Sequence, residues 1–394
     1  MKKVLFTLLT ALLPLLASAQ RVTIGKLNYN LSSSDKTAMV VQYDSYETKY
    51  EGDIIIPPSV EYGGTTYRVT AIGDNAFWDC GMLTAVTIPE GVKRIGEMAF
   101  NACGQITTLT LPASVTSIAP YAFTFMQGLT SITVDSGNKV FDSRNQCNAI
   151  IETASGILRF GCCNTVIPTG VTALADNCFE GCVQLTKLDI PNGVKSIGRG
   201  AFMTCVNLAS LTIPPSVNSI GGYAFYECKK LPSLTIPEGV TRIEEYLCSY
   251  CESMKWVIIP STVTILEDGP FYKELTDVYC YAVNPPKSVW GEGSFISIMP
   301  FNDENVMPAT LHVPQASIGA YSNSETGWRY FKNIVPLTAE ELAIHGPSST
   351  VSQPSAWYTL DGRQLPQAPA IKGIYVRKGA DGSSRKVLVS KIRM

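Results

Sequence analysis

The stretch Leu208-Ala209-Ser210-Leu211-Thr212-Ile213-Pro214-Pro215-Ser216-Val217-Asn218-Ser219-Ile220-Gly221-Gly222-Tyr223-Ala224-Phe225-Tyr226-Glu227-Cys228 decides the fold, because it is one copy of a unit that recurs along the chain. The Ile-Pro pair returns at Ile88-Pro89, Ile167-Pro168, Ile190-Pro191, Ile236-Pro237 and Ile259-Pro260, with Leu111-Pro112 as a variant. The step from Pro89 to Pro112 is 23 residues, and four more steps of 23 lead from Pro168 to Pro260. A second column keeps the same register: Phe77, Phe100, Phe123, Phe179, Phe202, Phe225, Cys248 and Phe271. A third runs through Cys80, Cys103, Met126, Cys182, Cys205, Cys228 and Cys251. Three columns in one register mark an array of stacked units, not a compact globule.

Each station in the unit has a physical reason. Leu208, Leu211 and Ile213 are predicted on an opening strand, which Pro214 ends because proline has no amide to donate to a ladder. Val217 and Ile220 carry the chain round a corner, Gly221 marks a turn, and Ala224-Phe225 returns a large side chain inward. Cys228 closes the coil as a small buried hydrophobe. One unit cannot bury these residues alone. Stacked units share a continuous core and a long parallel sheet with rungs roughly 4.8 Å apart. The predicted fold class is therefore a β-rich repeat solenoid with short helical segments and β caps.

Departures from the period locate the irregular parts. Asp135 stands 23 residues after Pro112, and Pro168 follows 33 residues later, so one turn is enlarged by about ten residues over 137–163 as a protruding loop or an extra hairpin. A second insertion around Tyr62 to Arg68 reads as a hairpin turning at Gly63-Gly64. Residues 20–68 form an N-terminal β cap, with strands expected over Val22 to Leu31, Ala38 to Gln42 and Gly52 to Ile56. The repeats fill 69–274. A degenerate repeat and C-terminal cap occupy 275–337, including an amphipathic helix over Ala316 to Phe331 with Tyr321, Trp328 and Phe331 inward. Residues 338–356 have linker composition, and 357–394 read as a small β tail.

Residues 1–19 have the layout of a secretory leader: Lys2 and Lys3, an apolar stretch to Leu16, then Ala17-Ser18-Ala19. The apolar stretch is too short to span a bilayer, and no later segment is a transmembrane candidate. The predicted location is extracellular or on the outer-membrane surface. Charged residues make up only 16% and the net charge is -2, which gives no electrostatic reason to expect nucleic acid as partner. Nothing in the pattern specifies an oligomeric state.

The residues that carry chemistry argue against an enzyme. Of the two histidines, His312 falls on an outward strand position and His345 in the linker. Neither has triad spacing, and acidic residues such as Glu90, Glu238 and Glu267 scatter over turns. No cofactor is implied. Twelve cysteines in an exported chain invite disulfides or a metal, but six hold one interior column where Met126 also fits. Buried free thiols explain them better than ligands, and parallel Cβ vectors on neighbouring rungs disfavour bonding.

Binding candidates lie on the outward stations of the main strand. One column is Thr87, Thr110, Thr133, Asp189, Thr212, Thr235 and Ile258, and its neighbour is Ala85, Thr108, Ser131, Lys187, Ser210, Ser233 and Trp256. Threonine there is explained by β propensity alone. Trp256 and Ile258 form either an exposed apolar patch or a surface that the C-terminal cap covers. Lys187, Asp189, Thr212 and Thr235 complete the candidate surface, and Asp142 and Arg144 represent the enlarged turn.

The unit Leu-x-x-Leu-x-Ile-Pro-x-x-Val-x-x-Ile-Gly-x-x-Ala-Phe-x-x-Cys resembles the BspA-type leucine-rich repeat over roughly residues 50–335. Leu311-His312-Val313-Pro314, Ala320-Tyr321, Gly327-Trp328 and Phe331 to Val335 are similar to the terminal cap of such proteins. Tyr358 to Arg363, Lys372 to Val376 and Lys386 to Val389 resemble the sorting-type C-terminal module of secreted Bacteroidetes proteins, although Ala380 to Ser384 and Lys391 to Met394 depart from it. The resemblance implies a leucine-rich-repeat solenoid, export to the surface, and adhesion to a host or neighbouring-cell protein or glycan. The competing reading is a structural or self-associating envelope protein.

Overall fold

The computed structural model describes residues 20–46, 49–271, 275–289, 309–324 and 327–345, and four strands between 356 and 389. The leader expected at 1–19 lies outside the described residues. Each coil of the array contributes a main strand, a short second strand and a turn, so three sides of a coil stack on the same sides of its neighbours.

Main strands pair in parallel in the register that the 23-residue period demands. Thr108–Leu111 lies beside Ser131–Val134, with Thr110 opposite Thr133, and Lys187–Asp189 beside Ser210–Thr212. Ser233–Thr235, Trp256–Ile259, Asp277–Cys280, Thr310–Val313 and Asn333–Pro336 form a five-stranded run. Short strands such as Ala173–Leu174, Ser196–Ile197 and Ser219–Ile220 stack as a second parallel sheet. Apolar side chains alternate inward from both, and Leu188, Val194, Ile197, Phe202 and Leu208 are buried.

The phenylalanine column forms a stack. Phe77 and Phe100 have ring centroids 5.0 Å apart with planes at 5°, and Phe179, Phe202 and Phe225 continue at 5.2 and 5.6 Å. Full burial of each ring contributes about 2–3 kcal/mol. The cysteines do more than fill space. The thiol of Cys103 donates to the Phe77 carbonyl at 3.1 Å, and Cys205, Cys228 and Cys251 repeat that bond to Phe179, Phe202 and Phe225 at 3.1, 3.2 and 3.1 Å. A hydrogen bond thus ties each of these four coils to the one before it. All twelve cysteines are free thiols, and burial pushes the thiols of Cys80 and Cys162 up to about 11.

Seven coils carry two residues with left-handed backbone, one two positions before and one two positions after the station of Phe77 and its equivalents. Asn75, Met98, Tyr121, Asn177, Gly200, Tyr223 and Tyr246 hold the first, all with φ between 51° and 59°. Asp79, Ala102, Phe125, Gly181, Thr204, Glu227 and Tyr250 hold the second. Side chains other than Gly, Asn and Asp pay for this conformation, by about 1–2 kcal/mol each.

The enlarged turn is an inserted hairpin folded into the stack. Ala149–Glu152 pairs antiparallel with Phe141–Asp142 on one side and Ile157–Gly161 on the other. Ala149, Ile150, Ile151 and Leu158 are fully buried, so the insertion extends the core instead of protruding. It also divides the core into two clusters, which meet near Phe160 and Phe179. Gly161 is required there, because a Cβ on it would lie 2.2 Å from the Phe179 ring.

At the N-terminal end, the run Val22 to Leu31 is two strands, Gln20–Ile24 and Leu27–Ser32, joined by a hairpin at Gly25. The inward positions shift from Val22 and Ile24 to Leu27, Tyr29 and Leu31, and this change of phase at Gly25-Lys26 is where the chain turns. Ser59–Tyr62 and Thr65–Ile72 form a hairpin whose turn residues Gly63 and Gly64 both have positive φ, the conformation a two-residue turn requires.

At the C-terminal end, Ala316 to Phe331 is not one helix. A 3-10 turn at Gln315–Ser317 leads into Ile318–Ser322, Asn323 ends it by bonding back to the Gly319 carbonyl, and Gly327–Tyr330 is a separate 3-10 turn. Tyr321, Trp328 and Phe331 are nonetheless all buried, with the Trp328 indole donating to the Pro286 carbonyl at 2.9 Å. The segment read as linker begins with a helix, Ala339–His345. Thr338 caps it: its amide donates to the Glu341 carboxylate at 2.6 Å, and the Glu341 amide donates to its hydroxyl at 3.2 Å. The four tail strands form an antiparallel sheet in the order Gln364–Leu365, Ala356–Tyr358, Gly373–Lys378, Ser384–Val389.

Candidate binding surfaces

The outward columns of the main sheet pair as the spacing predicts, and they divide into an open part and a covered part. Thr87, Thr110, Thr133, Asp189, Thr212 and Thr235 are exposed. The Thr110 and Thr133 hydroxyls lie 3.2 Å apart, and the Lys187 ammonium lies 3.1 Å from the Asp189 carboxylate. Lys187 and Asp189 pair in register with Ser210 and Thr212, and Ser233 and Thr235 with Trp256 and Ile258.

Ile258 is not exposed, in correction of its place in the candidate patch. It is 7% accessible and packs with Tyr281 and Leu337. Its column continues through Tyr279, His312 and Val335. The segment after Val335 doubles back over these residues, and the Tyr281 hydroxyl donates to the Glu341 carbonyl at 3.0 Å. Trp256, one column over, stays 37% exposed with its ring edge-on to Tyr279. The covered end is polar at its margin: His312 stacks on Tyr279 at 4.3 Å, with Asp277 at 3.0 Å from Nε2 and Glu341 at 3.7 Å from Nδ1. Among the described contacts no hydroxyl or thiol nucleophile touches this imidazole, so the cluster clamps the cap and lacks the arrangement of a hydrolytic site.

Asp142 and Arg144 lie in the inserted hairpin and on neither column. Arg144 Nε and Nη2 donate to the two Asp142 oxygens at 2.7 and 2.5 Å, and the Thr153 hydroxyl adds a bond at 2.9 Å. Burial alone would raise the Asp142 carboxyl, but the bonds from Arg144 and Thr153 outweigh it and hold the pKa below the usual range. The pair neutralises itself and braces the hairpin.

One surface was not among the sequence candidates. On the turn side, Tyr223 and Tyr246 follow one another in a column at 4.9 Å with planes at 34°, and Tyr226 meets Tyr250 of the next coil edge-on at 5.2 Å. Tyr223 also touches Tyr226 at 5.6 Å, and the Arg199 guanidinium lies 4.6 Å over the Tyr223 ring. Aligning the variable positions at the 23-residue period would have shown two consecutive tyrosines in the column ahead of Ala-Phe.

At the N-terminal end a cavity of about 410 Å³ opens between the first hairpin and the first main strand, lined by Ile24, Lys26, Leu27, Ile55 and Val60 among others. Its polar groups do not converge. Among the described residues no group of three His, Cys, Asp or Glu side chains could hold a metal ion, and no helix is long and apolar enough to cross a membrane.

Stacked parallel rungs with an Ile-Pro step and a buried Phe and Cys column define a leucine-rich-repeat solenoid. The sequence model for the BspA type leucine rich repeat region matches residues 63–154 and 160–276 in six copies, more than half of the chain, and the protein belongs to that family. No curated protein matches the chain. Among solved structures, the chain is similar to the pneumococcal vaccine antigen PcpA, at 15% identity and a TM-score of 0.50 over 82% of this chain and 99% of that one. It is also similar to a leucine-rich repeat protein from Bacteroides ovatus, at 22% identity and a TM-score of 0.46 over 80% and 76% of the two chains. A leucine rich cell surface protein from Faecalibacterium prausnitzii matches at 23% identity and a TM-score of 0.35 over 63% and 90%.

Proposed function

We propose that the protein is exported and displayed at the cell surface, where it binds a host or neighbouring-cell protein or glycan without catalysing a reaction. In this reading residues 1–19 direct export and 357–394 serve sorting or retention. The open sheet face from Lys187 to Trp256 is the binding surface. The observation that supports it most is Trp256, a large aromatic ring left exposed at the margin of a face otherwise built from small hydroxyl side chains and one ion pair. An aromatic anchor with an apolar body and a polar rim is what recognition surfaces concentrate.

The test is binding of the mature chain to arrayed purified matrix proteins and glycans, with Trp256→Ala in parallel. Saturable binding that weakens at least tenfold in the variant supports the reading and its site. Saturable binding indifferent to the variant keeps the function and rejects the site. An absence of binding on both arrays rejects recognition of these ligands and leaves a spacing or self-associating envelope protein as the better account.

A further inference from the structure

The coil that opens at Leu231 departs from the repeat at its phenylalanine station. Cys248 stands where Phe202 and Phe225 stand in the two coils before it, and Cys251 keeps the usual cysteine station three residues on. Leu247 replaces the Ala201 and Ala224 of those coils, so the core is filled without a ring. Packing therefore asks only for a small apolar side chain at 248, and the chain places a second sulfur there.

The two sulfurs meet. Cys248 and Cys251 are both fully buried, and their side chains are in hydrogen-bond contact. They belong to one turn. Tyr250 between them has φ of 60°, the left-handed backbone that Glu227 supplies one coil earlier, where the Cys228 amide closes the turn on the Phe225 carbonyl at 3.1 Å. The ends of a four-residue turn lie within about 7 Å of each other, and a disulfide joins Cα atoms roughly 4.4–6.8 Å apart. Cysteines on successive rungs, such as Cys228 and Cys251, run parallel and lack this convergence.

Removing both thiol hydrogens leaves no carbonyl here without a donor. The Cys248 thiol donates to the Pro270 carbonyl at 3.2 Å, and the Cys251 thiol to the Phe225 carbonyl at 3.1 Å. Each carbonyl has a second donor, the Cys248 amide at 2.8 Å and the Cys228 amide at 3.1 Å. A disulfide has no hydrogen to place, so it suits an apolar interior better than two thiols do.

We propose that Cys248 and Cys251 are an oxidisable pair, which forms a disulfide within its own coil when the chain meets a disulfide oxidant outside the cytoplasm. The thiolate of one cysteine attacks a sulfur of the oxidant, whose other sulfur leaves as a thiolate. The second cysteine's thiolate then attacks the mixed disulfide, which makes the Sγ–Sγ bond and releases the remaining oxidant sulfur. Two electrons pass to the oxidant, and the two cysteine protons end on its thiols. Burial holds the Cys248 thiol protonated in the folded chain, so the exchange takes place while the coil is still open. Where the bond forms rests on the export proposed above, because exported chains meet an oxidising compartment. Which cysteines pair does not.

The experiment refolds the reduced, purified mature chain in a glutathione buffer rich in the oxidised form, then unfolds it in guanidinium with an alkylating reagent. Two of the twelve cysteines should escape modification, whereas the chain refolded with reductant should have all twelve modified. Chymotrypsin cuts after Tyr250, between the two cysteines, so the bond should appear as two joined peptides that reductant separates. Twelve cysteines without an internal bond, whether alkylated or capped by glutathione, overturn the inference. A bond between any other two, Cys228 and Cys251 included, does the same. Cys248→Ala should show no bond, and the peptide map of the unsubstituted chain decides the matter even if that variant does not fold. Export is read separately, from the fraction of the cell in which the chain is recovered, and its failure leaves the pairing result standing.

Discussion

The regular coils between Phe179 and Phe225 and the splice around the inserted hairpin perform the same task with different means. In the regular coils the rings stack at 6° and 8°, each next-coil cysteine bonds to a phenylalanine carbonyl, and a valine fills the first corner. At the splice Phe160 takes over from the column and meets Phe123 at 45°. Asn138 stands where Val92, Val115, Val171, Val194 and Val217 stand elsewhere, and Glu180 is buried with one carboxylate oxygen unpartnered. A periodic sequence specifies a periodic core almost without polar side chains. A change of coil length interrupts backbone ladders, and buried side chains have to bond in their place.

The largest effect should separate the two aromatic environments. Phe202→Ala removes a fully buried ring sandwiched between two others, and a loss of about 3–5 kcal/mol is expected in denaturant unfolding. Phe160, tilted and 8% accessible, should cost at least 1 kcal/mol less on the same substitution. Equal losses would mean that the splice is as tightly packed as the regular array.

The next effect inverts the usual logic of repeat consensus. Asn138→Val would install the residue that the period calls for, yet it should destabilise by about 3 kcal/mol. The Asn138 amide nitrogen donates to the Pro112 and Val115 carbonyls at 2.9 Å each, and its oxygen accepts from the Val140 and Phe141 amides at 2.9 Å each. Valine leaves all four backbone groups without those bonds in a buried site. A neutral outcome in urea unfolding would show that the splice does not depend on them.

Glu180 gives the splice a pH dependence that the regular coils lack. Burial raises its carboxyl to about 7, against a weaker opposing bond from Asn177. Between the ordinary carboxylate range and that value, the folded chain holds a proton that the unfolded chain has released, so stability falls as pH rises through the window. Glu180→Met supplies the residue that Met203 provides one coil later. It should raise stability by about 2 kcal/mol at pH 8 and change little near pH 4.5, read from unfolding midpoints at the two values.

The sequence made the regular array legible because every interior station repeats, and residues such as Leu208, Ile220 and Phe225 need no context beyond their own coil. The break in the count at Asp135 pointed to the larger insertion. The hairpin was one of the two forms open to the larger insertion; its burial escaped, because burial of Ile150 and Ile151 depends on which coil they land against. The cover over Ile258 escaped for a different reason: Thr338-Ala339-Glu340-Glu341 carries a capping pattern, but the Ser and Pro that follow dominate the composition of the segment. Among the candidate site residues, the columns were legible from the period, whereas the self-pairing of Asp142 with Arg144 is a matter of side-chain geometry. The tyrosine surface was visible in the variable positions, which a search for recurring residues sets aside.

The smallest effect tests whether the thiol column binds coils together or only fills space. Phe179 offers its carbonyl to two donors, the Cys182 amide of its own turn at 3.0 Å and the Cys205 thiol of the next coil at 3.1 Å. Cys205→Ala removes the thiol but leaves the amide, so the carbonyl keeps one partner and the loss should be about 1 kcal/mol, bond and small cavity together. Cys205→Ser keeps a donor at the same place, although its shorter bond and smaller oxygen leave a gap. If the bond matters, serine should recover part of that loss in urea unfolding. If the sulfur acts only by volume, serine should be no better than alanine and worse by the burial of its hydroxyl. Met126 at the splice has no hydrogen to donate, so a positive result at Cys205 would mark Met126 as a station where the column closes by contact alone.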